Sequence, residues 1–290
     1  MKPSDLKRRY DQEGIVNISK HQAKKMAASL LRCPTSVHIM EFAFLHAAFL
    51  SLKSEDAEGI YVLETKPLTY HVDGATTSAI EFKYYFILTS FGIHFWNNSR
   101  HIASGDGAHA TCVFGGIFLA LTVKDACDQL VTVALMYCPV ENKEYWDIFF
   151  TLVRSKLKNI LLTITDKTKG LEALRVTTNS CSSAEVHASC AIHGLANAGC
   201  AKDDCKVYAA AAAKAPNLVD QAHYLALLEE SASTDVRKKF EDRLQDFGYL
   251  HLKEKGLLTN YGDVTSNASE NANSSYLDVR DAPILQEVIV

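Results

Sequence analysis

The sequence predicts an α/β fold, a mixed sheet with helices on its faces, and three observations carry that prediction. Two β-rich apolar runs, residues 114–123 and 130–137, are joined by Lys124-Asp125-Ala126-Cys127-Asp128-Gln129, a connection suited to an antiparallel hairpin. Trp146, Phe149, Phe150, Val153 and Leu157 then recur at i, i+3, i+4, i+7 and i+11, the apolar stripe of a helix. Residues 159–165 are nearly all Leu, Ile and Thr, as in a strand buried on both faces. Hairpin-connected strands followed by strand–helix units describe a mixed sheet.

The remaining elements follow in order. Ser19-Lys20-His21-Gln22 has capping-box spacing, and Ala23, Met26, Ala27, Leu30 and Leu31 continue at helical period. This short basic helix reads first as a solvated face and second as a phosphate contact. Residues 37–52 read as helix and 59–64 as strand. Residues 81–94, rich in Phe, Tyr and Ile, fit either a strand or a buried helix. His101-Ile102-Ala103-Ser104-Gly105 reads as a short strand that ends at Asp106. Residues 170–176 read as helix and 184–189 as a further strand. Residues 206–258 are mainly helical in pattern, with an alanine run at 209–213. A polar segment at 263–275 precedes a final apolar run, Ile284-Leu285-Gln286-Glu287-Val288-Ile289-Val290, whose abrupt end reads as a cut inside a longer architecture.

Composition bounds the function. The chain has 290 residues, 48% hydrophobic and 22% charged, enough for a sizeable core. Its 30 Lys+Arg against 34 Asp+Glu give a net charge of −4, which argues against a protein that coats nucleic acid by blanket charge. The charge is uneven: residues 1–32 hold eight Lys/Arg against Asp5, Asp11 and Glu13, a net of +5 that leaves −9 for the rest. No apolar stretch approaches the roughly 20 residues of a membrane span, and none follows the N-terminal charges as in a secretory signal. The eight cysteines, without any Cys-x-x-Cys, read as thiols of a cytosolic or nuclear protein.

Two aspartates stand where an α/β sheet keeps its chemistry: Asp106 after one strand and Asp166 after a second, strongly buried one. Carboxylates converging at such ends repel one another, and hard divalent cations such as Mg²⁺ or Mn²⁺ relieve that repulsion. Turn or cap roles are the competing reading for either residue taken alone.

Six motifs in order give the chain a resemblance. They are Asp-Gly-Ala-His at 106–109; Phe-Gly-Gly-Ile-Phe-Leu-Ala at 114–120; Glu141-Asn142 with Trp146 before an aromatic helix; Leu-Thr-Ile-Thr-Asp-Lys at 162–167 with Gly170-Leu171; Cys190-Ala191-Ile192-His193; and Thr265-Ser266-Asn267-Ala268-Ser269-Glu270-Asn271-Ala272-Asn273, followed by Arg280 and Pro283-Ile284. Together they resemble the catalytic domain of Mutator-like element (MULE) transposases, well over residues 95–290 and loosely before them. The resemblance implies a ribonuclease-H-like mixed sheet with flanking helices and a helical insertion before the last catalytic helix. It divides the chain into a mostly helical N-terminal region (1–95), the core (96–205), the insertion (206–262) and a returning helix (263–290).

The same resemblance implies an Asp-Asp-Glu (DDE) triad at Asp106, Asp166 and Glu270, holding two Mg²⁺ or Mn²⁺ ions. It implies nuclear DNA transposition, in which water frees a 3′-OH that then attacks target DNA, with DNA as partner and room for a homo-oligomer. His109 becomes a candidate for supporting the metal shell, and a hydrogen-bonded loop histidine is its equal alternative. Cys190 and His193, with Cys200 and Cys205 nearby and Cys181 competing, form a conceivable tetrahedral Zn²⁺ set, although packing is the preferred role. The chain departs from the family in three respects. It shows no zinc-finger modules, Asn271 stands where Ser commonly follows the glutamate, and the residues before Cys190 lack basic neighbours. A degenerate or domesticated, non-catalytic binding module is therefore the alternative reading, and an unrelated nuclease of the same superfold is a third.

Overall fold

The computed structural model describes residues 35–72, 75–110, 114–125, 127, 129–165 and 186–254. Helix α1 (Thr35–Glu55) leads into a long hairpin, β1 (Ile60–Val72) and β2 (Ala75–Leu88), then α2 (Ser90–Asn97). Strands β3 (Ile102–His109), β4 (Ile117–Lys124) and β5 (Leu130–Cys138) follow, then α3 (Lys143–Lys156), β6 (Leu162–Thr165) and β7 (Val186–Ser189). Six helices complete the described chain: α4 (Ala191–Asn197), α5 (Asp203–Lys214), α6 (Leu218–Ser231), α7 (Thr234–Glu241), α8 (Leu244–Phe247) and α9 (Tyr249–Glu254).

All seven strands form one mixed sheet in the order β1-β2-β5-β4-β3-β6-β7. Strands β3, β4 and β5 form an antiparallel meander, while β6 and β7 run parallel to β3. An antiparallel meander extended by parallel strands, with helices on both faces, is compatible with the ribonuclease-H-like fold expected from the sequence. The β1–β2 hairpin extends the sheet beyond β5, to which β2 is paired only through Tyr85, Phe86 and Ile87. It resolves the ambiguity of residues 81–94: the aromatic run is strand as far as Leu88, and Thr89 then caps α2 by accepting the Gly92 N–H at 3.0 Å. The stretch before residue 96 thus carries two long strands between its two described helices.

Each face of the sheet has its own cover. On one face, Trp146, Phe149, Phe150 and Val153 of α3 pack with Trp96 of α2 against Ala103, Leu119, Leu121 and Met136. The predicted helical stripe is the buried side of α3, with Leu157 closing it just past the last turn. On the other face, Leu45 and Phe49 of α1 meet Tyr85, Ala108, Phe118 and Tyr137. Further along that second face, Leu252 of α9 packs with Ile102, Leu162, Ile164 and Ala188.

The helical pattern at 206–258 resolves into separate helices as far as residue 254, and each break follows from its residues. Pro216 cannot continue α5, and Asn217 starts α6 by accepting the Asp220 N–H at 2.9 Å. Ser233 caps α7 in the same way, through the Val236 N–H. The helices share an apolar core of alanines, Leu225, Leu228, Phe240 and Phe247. Residues 1–32, 170–176 and 263–290, read from sequence as basic helix, helix and returning segment, lie outside the described residues.

Close packing decides one substitution against helix propensity. In a helix interior, alanine exceeds glycine by about 1 kcal/mol. At Gly194 of α4, however, a Cβ would stand 2.6 Å from Cε1 of Phe247, a fully buried ring wedged against Phe240. Gly194→Ala is therefore predicted to destabilise the protein, by about 1–3 kcal/mol for overpacking. Urea unfolding of the two proteins checks this, and a variant more stable than wild type would contradict the packing.

Candidate active site

Asp106 lies inside a strand and does not end one. β3 runs on to His109, and its pairing with β4 is continuous, from Ala103 opposite Val123 to His109 opposite Ile117. The flanking glycines, which in sequence resemble turn signals, are sites of close approach instead. A Cβ on Gly105 would lie 3.1 Å from Thr165 Cγ2 and 3.6 Å from the rings of Phe150 and Trp146. One on Gly107 would lie 3.1 Å from the Glu141 carboxyl carbon. The two glycines let β3 pass directly beneath α3 and Glu141, whose Oε1 accepts the Trp146 indole N–H at 3.2 Å.

Alternation along β3 then fixes where Asp106 stands. Successive side chains point to opposite faces, so Asp106 shares its face with Ala108, Phe118 and Tyr137, opposite α3. On that face α1 covers the hairpin end of the sheet and α9 the β6–β7 end. Asp106 is half-buried on β3, between these two covers. One step toward the strand start, the buried Ser104 and Thr122 face each other, and the Thr122 and Thr132 hydroxyls lie 3.3 Å apart. Sequence reading did not single out this hydroxyl row, although period-two alternation from Asp106 leads to Ser104.

The other candidates separate. His109 is exposed at the end of β3, and alternation puts it on the face opposite Asp106. Cys190 is fully buried directly after β7, and its backbone N–H donates to the Thr165 carbonyl at 3.0 Å. It belongs to the apolar cluster of Ile164, Ala188 and Leu252, on Asp106's side of the sheet. His193 is half-buried on α4, while Cys200 and Cys205 sit in the separate helical core. Among the described residues, no three His, Cys, Asp or Glu side chains come together as a metal group. Asp166, Glu270 and Cys181 lie outside the described residues. Cys138 on β5 is no nucleophile: burial pushes its thiol up to about 12, and its Sγ bonds to the Ile117 and Val140 carbonyls.

Beyond Ala108, the same face opens into a cavity of about 380 Å³ lined by Phe42, Phe82, Phe114, Tyr137 and Pro139. Its floor depends on the Phe-Gly-Gly motif. Residues 114–116 are the end of a turn and not the start of β4, because Gly115 and Gly116 take φ of +67° and +102°, values that favour glycine. The Tyr137 hydroxyl donates to the Gly115 carbonyl, and its ring would lie 2.7 Å from a Cβ on Gly116.

Comparison with known proteins finds no matching family model and no matching curated protein. Among the described residues, no helix is long and apolar enough to cross a membrane.

The Tyr137 contact makes a prediction about the turn after the Asp106 strand. Tyr137→Phe is expected to lower stability by about 1 kcal/mol, the usual worth of one hydrogen bond. It should also speed hydrogen exchange at the Ala110 amide, which donates to the Gly116 carbonyl at 3.0 Å across that turn. Unchanged exchange at Ala110 would show that the clamp does not hold the turn.

Proposed function

We propose that the chain is the catalytic core of a DDE-type transposase resembling the Mutator-like family, cleaving DNA phosphodiesters and transferring strands with Asp106, Asp166 and Glu270. The observation that carries this reading is the register between the two central parallel strands. Ile102 pairs with Leu162, Ala103 with Thr163 and Ser104 with Ile164, a constant offset of 60 positions. Asp106 and Asp166 are separated by the same 60 positions. Continued two positions beyond Ser104–Ile164, that register would align 166 with 106. Unrelated turn aspartates have no reason to share the register of two paired strands.

Two further features support the reading. The β6–β7 register pairs Thr165 with Ser189, an offset of 24 that, carried one residue further, would align Cys190 with position 166. The short motif around Cys190 would thus flank the second carboxylate. The chain also leaves the described structure from the correct side. α9 lies on the Asp106 face through Leu252, and 15 residues separate its last residue, Glu254, from Glu270.

Residues and chemistry fit. Asp106 and Asp166 would hold Mg²⁺ or Mn²⁺ through hard carboxylate oxygens, with Glu270 as third donor. Bound divalent cations supply Lewis-acid polarisation of the phosphate and an acidified attacking water. The β3 backbone contributes rigidity: paired with β4 along its length and with β6 at residues 102–104, and packed beneath α3, it would hold the Asp106 carboxylate in place before DNA arrives. Neither a covalent enzyme intermediate nor a cysteine nucleophile is required. DNA is the proposed partner, with the +5 stretch at residues 1–32 as its main electrostatic contact, and the nucleus is the proposed compartment.

Nicking of supercoiled DNA with Mn²⁺ or Mg²⁺ tests this. Asp106→Asn is predicted to reduce the rate about 100-fold or more, on the scale of losing one catalytic group. Asp203→Asn, on the exposed start of α5, should leave it unchanged. Equal rates for wild type and Asp106→Asn would overturn the site. DNA binding without cleavage by wild type in either cation would mean a non-catalytic binding module.

A further inference from the structure

The cavity beyond Ala108 is walled by aromatic rings from four separate segments. Phe42 stands on α1, Phe82 on β2, Tyr137 on β5 and Phe114 on the turn before β4, with Pro139 just past β5. The rings meet at steep angles. Phe42 lies 5.5 Å from Phe82 between centroids at 79°, and 4.8 Å from Phe114 at 90°, while Phe82 lies 5.6 Å from Tyr137 at 44°. Rings so inclined make adjoining walls of a box and not the two parallel faces of a stacking slot. Phe114 is 44% exposed and opens the box to solvent, whereas Tyr137 is buried.

We propose that this cavity is a binding site for a quaternary ammonium group, the chemistry shared by a trimethyllysine side chain and by choline. The lining restricts what can enter. Its one polar side-chain atom, the Tyr137 hydroxyl, already donates to the Gly115 carbonyl. A ligand group bearing N–H or O–H donors, or the polar edge of a nucleobase, would give up hydrogen bonds to water that these walls do not replace. A quaternary ammonium gives up none, because its charge is carried by methyl groups, and the negative ring faces attract it. Net charge points the same way, since the chain outside residues 1–32 carries −9 and favours a cation. The volume of about 380 Å³ suits a small group on a stem, at the low end of ligand pockets at about 300–1,000 Å³. Asp106 takes no part, so this site stands or falls independently of the nuclease reading.

Proton NMR titration of the full chain tests the site. The probes are choline and N-acetyl-trimethyllysine amide, each beside its neutral carbon isostere, in which tert-butyl replaces trimethylammonium. The expected result is binding of a cation about tenfold or more tighter than its isostere, the scale of a desolvated cation–π contact. Its N-methyl resonance should move upfield under the ring currents, and the tighter of the two cations identifies the source. Phe114→Leu, at the exposed mouth, keeps an apolar side chain but removes a ring. It is expected to weaken the cation about tenfold and to leave the isostere unchanged. Isosteres that bind as tightly as their cations would show a merely apolar pocket and overturn the proposal. So would undiminished cation binding in Phe114→Leu, or no binding of either cation at millimolar concentration.

Discussion

The structure depends on how closely strand β3 passes beneath helix α3. Trp146 and Phe150 stack at 5.3 Å between centroids, and a Cβ at position 105 would touch both rings at 3.6 Å while standing 3.1 Å from Thr165 Cγ2. Little room is left there beyond a methyl group, and glycine gives up β propensity and adds chain entropy to be lost on folding. Packing has to offset that loss. It does so by burying Trp146, Phe149, Phe150 and Val153 almost completely, each worth about 1.5–3 kcal/mol in area terms. One small residue thereby sets the distance between sheet and helix for the α3 face.

That constraint has a consequence on the opposite face. With Gly105 and Gly107 committed to α3, the alternating positions 104, 106 and 108 must face away from it. Ser104 and Ala108 are buried there, the first in a row of hydroxyls and the second against aromatic rings. Asp106 stands between a polar row and an apolar wall, on the strand that holds the sheet's antiparallel and parallel halves together. A carboxylate on such a strand cannot relax by moving its backbone. Its environment is therefore fixed by the fold, which is the physical meaning of preorganisation.

How legible this was in sequence depends on the range of the interaction. The α3 stripe, the β4–β5 hairpin and the short buried β6 were readable because their signals are local and periodic. The end of β3 was misread at Asp106 because glycine signals both turns and close approaches, and only a distant residue, Trp146, decides between them. The start of β4 was misread at Phe114 for the converse reason: Gly115 and Gly116 there do mark a turn. The hairpin at 60–88 was half visible, since a strand rich in Phe and Tyr has no unique period. His109 was grouped with Asp106 by proximity in sequence, which alternation in a strand defeats.

The proposed site divides along the same line. Asp106 and Asp166 share the 60-position offset of the residues paired in the β3–β6 ladder, which is what ties them together in the proposal. A helix returning from an insertion has no such ladder, so nothing in the β3–β6 pairing constrains Glu270. The sheet half of the site is built by contacts that the fold needs in any case, such as the packing of Gly105 under Trp146. The last described helix, α9, is anchored to the sheet through Leu252. A side chain at position 105 would press first on Thr165, then on Trp146 and Phe150, on the face behind Asp106.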